Sequence, residues 1–483
     1  MRNMGRLPML DVRIVVVLLL VTAFCSNLGI AQAPPIEWKK VFAEPGQFAP
    51  CVHQMPDGSY RILGNRRTES QWATPFLLAL SPTGEILWEK SFSDIKTWPN
   101  YQTLMLHFKP TSDGGCIVAG TVQGTTQGPT DVLLLRLDQA GNQQWQRTFH
   151  LGDFGDINIA IFVDEQPEGS FVLIGSIISA QPNVARVFLL GTDAEGNSVW
   201  QKDFSGKQWA IAMFAQKSSD GGYIIVGSTG SAETWDDILY VLKVNAAGDR
   251  VWEQYFSEVR YRVFAAVGAT RDGGACIAAC TDSTGEWTAK SYLLRLDIMG
   301  NVIWKKELNY YYKYEEETLY HYYGFSSVAE TEDEGFILGG TTIQFRSAQP
   351  AWTSYGCVVR TDAQGQILWQ WLSDPGVWNP PNVTTRFVVV AGLTINEGII
   401  ALVNRVFDDE ALGFDIVKLA PMTSGKGKVI GQIKDASTGE GIQDATVEAR
   451  GPVTSSTTTD ANGNYILTLP PGTYTLTASA PGY

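Results

Sequence analysis

A strand closed by Trp, usually with Phe four residues later, returns seven times along this chain, and its first copy is out of phase with everything that follows. The copies read IEWKKVF around Trp38, ILWEKSF at Trp88, QQWQRTF at Trp145, SVWQKDF at Trp200, RVWEQYF at Trp252, VIWKKEL at Trp304 and ILWQWLS at Trp369. A second motif, an acidic residue beside Gly, also occurs seven times. It stands at Asp57-Gly58, Asp113-Gly114-Gly115, Glu168-Gly169, Asp220-Gly221-Gly222, Asp272-Gly273-Gly274, Glu334-Gly335 and Glu397-Gly398. The Trp motif comes first at the N-terminus, and the last acidic-Gly motif has no Trp behind it. Equal counts in shifted phase are what a closed ring requires when its first strand completes its last unit. The spacing of 50 to 65 residues between Trp copies fits a four-stranded blade and exceeds the period of short helical repeats. The expected fold is therefore all-β, a seven-bladed β-propeller over residues 34–420 closed by the strand at 34–42.

The recurring letters have a local physical reason. The copy from Ser218 contains YIIVGS, ILYVLKV and RVWEQYF, strands rich in β-branched and aromatic residues, and Trp209 to Ala215 supplies a fourth. Between third and fourth strands stand Asp138 to Asn142, Asp193 to Asn197, Asp297 to Asn301 and Asp362 to Gln366. Asp caps such a turn through its side chain, and the Gly three residues later takes the left-handed conformation that closes the hairpin. These repeated carboxylates are read as scaffold rather than as calcium ligands or catalytic acids.

The N-terminus carries Arg2, Arg6 and Arg13, an apolar run from Ile14 to Phe24, and small residues up to Ala31. That pattern predicts a secretory signal peptide over residues 1–31, its apolar run being short of the about 20 residues that span a bilayer. Loss of that segment removes three Arg and one Asp, taking the formal charge from −14 to −16. So acidic a chain argues against nucleic acid and anionic membranes as partners. Five cysteines remain, Cys51, Cys116, Cys276, Cys280 and Cys357. Cys276 and Cys280 share a strand face at roughly 13 Å, too far to bridge, so the set is expected to be reduced and buried. His53, His107, His150 and His321 show no metal-ligand spacing, and no metal or cofactor is expected. No nucleophile elbow, P-loop or zinc-protease motif occurs.

Pro421 to Gly427 reads as a linker, after which the pattern changes. Gly431, the Asp435-to-Gly439 turn, Ile442 to Val447, Asp460 to Tyr465 and Leu469 to Tyr474 together resemble the carboxypeptidase regulatory-like domain. The resemblance implies a small prealbumin-type β-sandwich over residues 428–483. In that family a further strand follows the Ala480-to-Tyr483 segment, so the sandwich is expected to be incomplete here, with an unpaired edge. The repeats themselves, DGGYIIVGST followed by LDxxGNxxWxKxF, resemble those of secreted bacterial β-propeller proteins and, more distantly, the quinoprotein-like propellers. Such quinoproteins use eight blades, a vicinal cysteine pair and a calcium held by carboxylates. This chain counts seven blades and has no adjacent cysteines.

The tryptophans outside the blade motif point to binding instead. Trp72, Trp235, Trp287 and Trp352 fall in loops between second and third strands, and Trp98, Trp209 and Trp378 fall in or beside loops between blades. In propeller topology these loops share one face. Asp236 and Asp237 flank Trp235, and a Tyr-rich insertion from Asn309 brings Tyr322 and Tyr323. Flat amphipathic rings give large contact area at small entropic cost. The expectation is a monomeric, non-catalytic protein, secreted or displayed on a bacterial surface, whose aromatic face binds an extracellular glycan or protein. The alternatives are a quinoprotein-like or hydrolytic enzyme using the same face, and a purely structural surface repeat protein.

Overall fold

The computed structural model describes residues 31–44, 46–67, 73–97, 106–124, 129–179, 184–230, 237–260, 264–281, 290–308, 310–314, 317–346, 352–373, 376–377, 385–394, 398–407, 410–420, 427–435, 440–450, 454–469 and 475–480. The secondary structure assigned among them is β-strand, with no helix. Residues 1–30 of the expected signal peptide lie outside the described residues, and its last residue, Ala31, is placed in a short strand. Contacts divide the chain into one unit ending at Ala420 and a second from Pro421.

The first unit is the seven-bladed propeller. Blade one holds Gln47–Gln54, Tyr60–Arg67, Ala73–Leu80 and Ile86–Ser91, hydrogen-bonded in that order from the axis outwards. The same antiparallel order recurs in the following blades, whose innermost strands are Leu106–Pro110, Ile157–Glu165, Trp209–Lys217, Phe264–Ala269, Glu317–Glu330 and Thr385–Leu393. Blade seven takes its second and third strands from Ile399–Phe407 and Glu410–Leu419, and its outermost strand is Ile36–Phe42. That closing strand runs antiparallel to its partner, pairing Ile36 with Leu419 and Phe42 with Phe414. The ring is closed by the N-terminal strand, as the phase shift of the motifs required.

Apolar side chains alternate to the two faces of each blade and meet those of the next, giving wedge-shaped core layers. Leu63, Leu77, Phe108 and Leu133 pack between blades one and two, and Ile62, Phe76, Ile400 and Phe414 pack between blades seven and one. The conserved-phase Trp supplies the outer part of each layer. It stands third in its strand rather than closing it, and it lies over the third-to-fourth-strand turn of the next blade. A Cβ on Gly141, Gly196, Gly248, Gly300 or Gly365 would come within 3.0 Å of Trp88, Trp145, Trp200, Trp252 or Trp304 respectively. Each of those glycines has φ between 74° and 83°, so the position needs both a left-handed backbone and an absent side chain. Trp252 and Trp304 also donate Nε1–H to the Ile298 and Ala363 carbonyls of those turns, at 2.8 and 3.1 Å. The seventh Trp, Trp369, has no such hairpin to cover, because blade seven is completed from the N-terminus. There Ala31–Gln32 pairs in parallel with Trp369 and Gln370, and Pro35 accepts the Ala420 N–H at 2.9 Å.

The turn carboxylates are occupied as scaffold. Asp138 accepts from Asn142 N–H at 2.8 Å and from its side-chain amide at 3.0 Å, and Asp193 and Asp297 repeat the clasp. These bonds, the Asn142 N–H first, hold Asp138 below the usual carboxylate range. On the first turn of the blade, Asp113, Asp220 and Asp272 meet Arg136, Lys243 and Arg295 of the third strand at 2.6, 2.9 and 2.6 Å.

Blade six corrects the sequence register. Asp333, not Glu334, accepts the Thr331 hydroxyl at 2.6 Å and pairs with Arg360. Glu334 therefore occupies the place that Gly114 holds in blade two, with φ 65°. A left-handed non-Gly residue costs roughly 1–2 kcal/mol, part of which is offset by the greater chain entropy of Gly when unfolded. Glu334→Gly is expected to stabilise the propeller by about 0.5–1 kcal/mol, read as a higher urea midpoint at unchanged slope; a lower midpoint would show that the Glu334 side chain contributes more than the strain it imposes.

The Tyr-rich insertion is also more regular than its composition implied. Tyr310–Tyr314 pairs with the long inner strand Glu317–Glu330, and Phe336–Arg346 pairs with Trp352–Thr361 as far out as Phe345 and Trp352, so Trp352, expected in a loop, lies in a strand. Aromatic and β-branched residues in the described parts of these strands favour extending the blade.

The second unit has two small sheets. Gly427–Gln432 pairs with Asn464–Leu469, and Thr446–Arg450 lies between Thr454–Thr458 and Thr475–Ser479. Val447, Ala449 and Leu467 form its core with Val429, Ile433 and Tyr465 against them. Thr475–Ser479 is an edge strand whose residues are all exposed.

Candidate functional site in the propeller channel

The innermost strands of the seven blades surround a cavity of about 470 Å³ on the axis, within the range of small-ligand sites. Register shifts place what lines it. The inner strands of blades one, three, four and six bulge between Phe48 and Cys51, Ala160 and Phe162, Ala212 and Phe214, and Phe325 and Ser327. A bulge twists its strand and re-aims the side chains that follow. The bulged backbone is held from the neighbouring blade: Asn404 of blade seven accepts the Ala49 N–H at 2.7 Å and donates to the Ala49 carbonyl at 2.8 Å. Thr121 and Ser176 take the Ala160 and Ala212 N–H groups in the same way.

His53, Lys109, Gln216, Arg271 and Glu330 line the cavity at the carboxyl ends of the inner strands, beside the acidic-Gly turns. This is the face opposite to the loops between blades. Glu330 is the one carboxylate among the described lining residues, and it accepts the Arg271 backbone N–H at 2.9 Å. Lys109 lies 5.9 Å from the Phe162 ring centroid and forms no ion pair among the described residues. Burial, opposed by Asp164, lowers its pKa.

Deeper in, Cys51, His53 and His107 converge, with one donor atom from each lying within 4.8 Å of the others. Burial, assisted by the Lys109 charge, pushes His53 down to about 3 and holds His107 well below the ordinary histidine range. Both imidazoles are thus neutral. Burial pushes the Cys51 thiol up to about 11, and the thiol donates weakly to the Phe108 carbonyl at 3.8 Å. His107 Nδ1 accepts the Val163 N–H at 3.2 Å. Sequence spacing gave no hint of this cluster under the usual metal-motif rules. The signal was the blade period itself, since Cys51 and His53 precede His107 by 56 and 54 residues, and equivalent inner-strand positions are neighbours around the axis.

The aromatic residues expected to bind ligand fare unevenly. Trp72, Trp98, Trp235, Asp236, Trp287 and Trp378 lie outside the described residues. Tyr322 and Trp352 are placed in strands by their backbones. Trp209 opens the inner strand of blade four and is half-buried, and Asp237 is half-buried just before Ile238–Val244. Tyr323 is a core residue: it is 1% exposed, stacks on Phe325 at 5.3 Å and donates to Gln370 Oε1 at 3.0 Å. Strand alternation turns it inwards, which removes it from any ligand surface. The five described cysteines are all free, and Cys280 alone is more than slightly exposed.

Comparison with known proteins bears on the two units separately. Residues 428–483 match the carboxypeptidase regulatory-like domain. The two small sheets described above are that module. No curated protein matches the chain. Among solved structures, the chain is similar to a polysaccharide lyase of family PL25, an ulvan lyase, at 12% identity and TM-score 0.46, over 81% of this chain and 94% of that one. It is similar to the β-propeller domain of the Trilobed protease from Pyrococcus furiosus at 8% identity and TM-score 0.37, over 77% and 96%. It is also similar to a puromycin hydrolase at 15% identity and TM-score 0.40, over 78% of this chain, and spans 62% of that chain. Likeness at this level concerns fold alone. Among the described residues, no helix is long and apolar enough to cross a membrane.

Proposed function

We propose that this is a non-catalytic binding and scaffold protein, secreted or held at the cell surface, whose propeller recognises a glycan or protein partner carrying acidic groups. The observation that carries this reading is the polar end of the channel. Lys109 has no ion-pair partner among the described residues, the neighbouring imidazoles are neutral, and the one described lining carboxylate, Glu330, is already engaged by Arg271. That arrangement offers hydrogen-bond donors and a lysine with no direct ion pair among the described residues, which suits a uronate, a sulfate ester or a protein carboxylate. Hydrolysis of a glycoside calls for two carboxylates facing one cleft, and the described lining contributes one. The acidic exterior would disfavour an anionic partner everywhere except at this mouth, giving the site its selectivity.

The test is an array of neutral and acidic polysaccharides probed with the full chain in the presence of a metal chelator. Binding to acidic members is expected, falling about tenfold or more in Lys109→Met and weakening with salt. Binding confined to neutral glycans, or unaffected in Lys109→Met, would remove the channel from the recognition surface. A blank across the whole array would rule out the glycan partner and leave the protein one.

A further inference from the structure

We propose that Cys51, His53 and His107 form a site for a borderline-soft divalent metal of the zinc class, with three protein ligands and a fourth position facing the channel. This site does not depend on the binding reading above, which concerns the charged mouth of the same channel. Two features of the fold assemble it. The bulge after Phe48 places Cys51 and His53 two residues apart on the same side of one inner strand. His107 comes from the next inner strand around the axis, Leu106–Pro110.

The donor set suits the metal. One thiolate and two imidazoles are the ligands that borderline ions select over carboxylate and carbonyl oxygen. Zinc with bonds of about 2.0–2.3 Å to nitrogen and sulfur sets its ligand atoms roughly 3.3–3.8 Å apart. The donors here lie within 4.8 Å of one another, so small rotations of three side chains would close the shell. Coordination takes both imidazoles in their neutral form. The Phe108 carbonyl favours a ring N–H on His53, the kind of outer contact that fixes which ring nitrogen faces a metal.

Loading has a defined balance. The ion takes the sulfur lone pair of Cys51, and the thiol proton leaves to solvent, so one proton is released per metal bound. Lys109 acts in two directions, favouring the thiolate while opposing the incoming cation. His107 must give up its bond from Val163 whichever ring nitrogen is used. At Nδ1 the lone pair is consumed, and at Nε2 the ring proton has to move to Nδ1. At 3.2 Å that bond is a long one.

The experiment is a cobalt(II) titration of the reduced, metal-stripped full chain, followed by displacement with zinc(II) against a chromophoric chelator. One cobalt per chain is expected, with a thiolate-to-metal charge-transfer band in the near ultraviolet and visible bands of a four-coordinate ion. Cys51→Ser is expected to abolish the charge-transfer band. His53→Gln and His107→Gln should each weaken binding at least about tenfold, while the controls Cys276→Ser and His150→Gln behave as the parent chain. Zinc should raise the thermal midpoint of the parent chain by more than those of the three ligand variants at the same free zinc. If Cys51→Ser fails to fold, the two histidine variants carry the same comparison. Absence of stoichiometric binding by the parent chain overturns the site, as does a charge-transfer band that persists in Cys51→Ser.

Discussion

Deletion of residues 34–42 is expected to lower the thermal midpoint of the propeller by about 10 °C or more and to broaden the transition. The closing strand contributes more than its backbone ladder. Trp38 meets the edge of Tyr60 at 5.7 Å and donates to the Pro82 carbonyl at 3.2 Å, so it bonds blade seven to blade one. Phe42 stacks on the fully buried Phe414 at 4.7 Å, and Lys39 pairs with Asp415 at 3.1 Å. Trp38 and Phe42 are partly buried against the core between blades seven and one, so each loss costs less than the about 3–5 kcal/mol of a fully buried aromatic, yet together they weigh heavily against a total stability of roughly 5–15 kcal/mol for a typical domain. It also exposes the edge of Glu410–Leu419, an invitation to intermolecular pairing. Calorimetry of the full chain and the deletion is the direct measurement. Superimposable melting curves would mean that the ring does not depend on its N-terminal strand.

Gly248→Val is expected to destabilise the propeller by about 3–4 kcal/mol, and Gly221→Val by only about 1–2 kcal/mol. Both glycines belong to blade four, with φ of 79° and 83°, so both substitutions impose left-handed strain. The surroundings differ. A Cβ at Gly248 would stand 2.8 Å from the Trp200 ring of the preceding blade, whereas at Gly221 the nearest atom, the Ala246 Cβ, is 3.8 Å away. The additional loss in the first variant measures what it costs to lift the indole off the turn. Urea unfolding of the two variants side by side gives that difference directly. Equal losses would show that Trp200 adapts without cost, and the Trp-on-turn contact would then be geometry without energetic weight.

The scaffold was readable because each of its demands is repeated from blade to blade. A turn needs Asp and a left-handed Gly, the next blade needs a Trp above it, and repetition separates these letters from their background. Even so, Glu334 shows a limit. A simple search for acid beside Gly selects Glu334-Gly335, while the hydrogen bonds assign the capping role to Asp333. Non-repeated features were harder. Tyr322 and Tyr323 look alike in sequence, and the alternation of the strand alone sends Tyr323 into the core. The Tyr-rich run reads as an insertion loop until pairing partners are known, because strand propensity gives no register. Cys51, His53 and His107 are separated by a whole blade, and their meeting depends on a bulge that no single residue announces. Most of the aromatic loop residues fall outside the described part of the chain, and the candidate site argued above rests on the inner-strand residues of the channel.

The pairing of Ile36 with Leu419 fixes how this molecule would respond to pulling. Pro35 and Ala420 sit together at one end of the closing strand pair. Tension applied between those two residues would therefore open the pair like a zipper, loading its hydrogen bonds one after another instead of all at once. The seam that completes the ring is thus also its weakest direction under load. Were the chain tethered on both sides of the propeller, blade seven would peel away first at low force, while the other six, each a continuous run of chain, would remain folded.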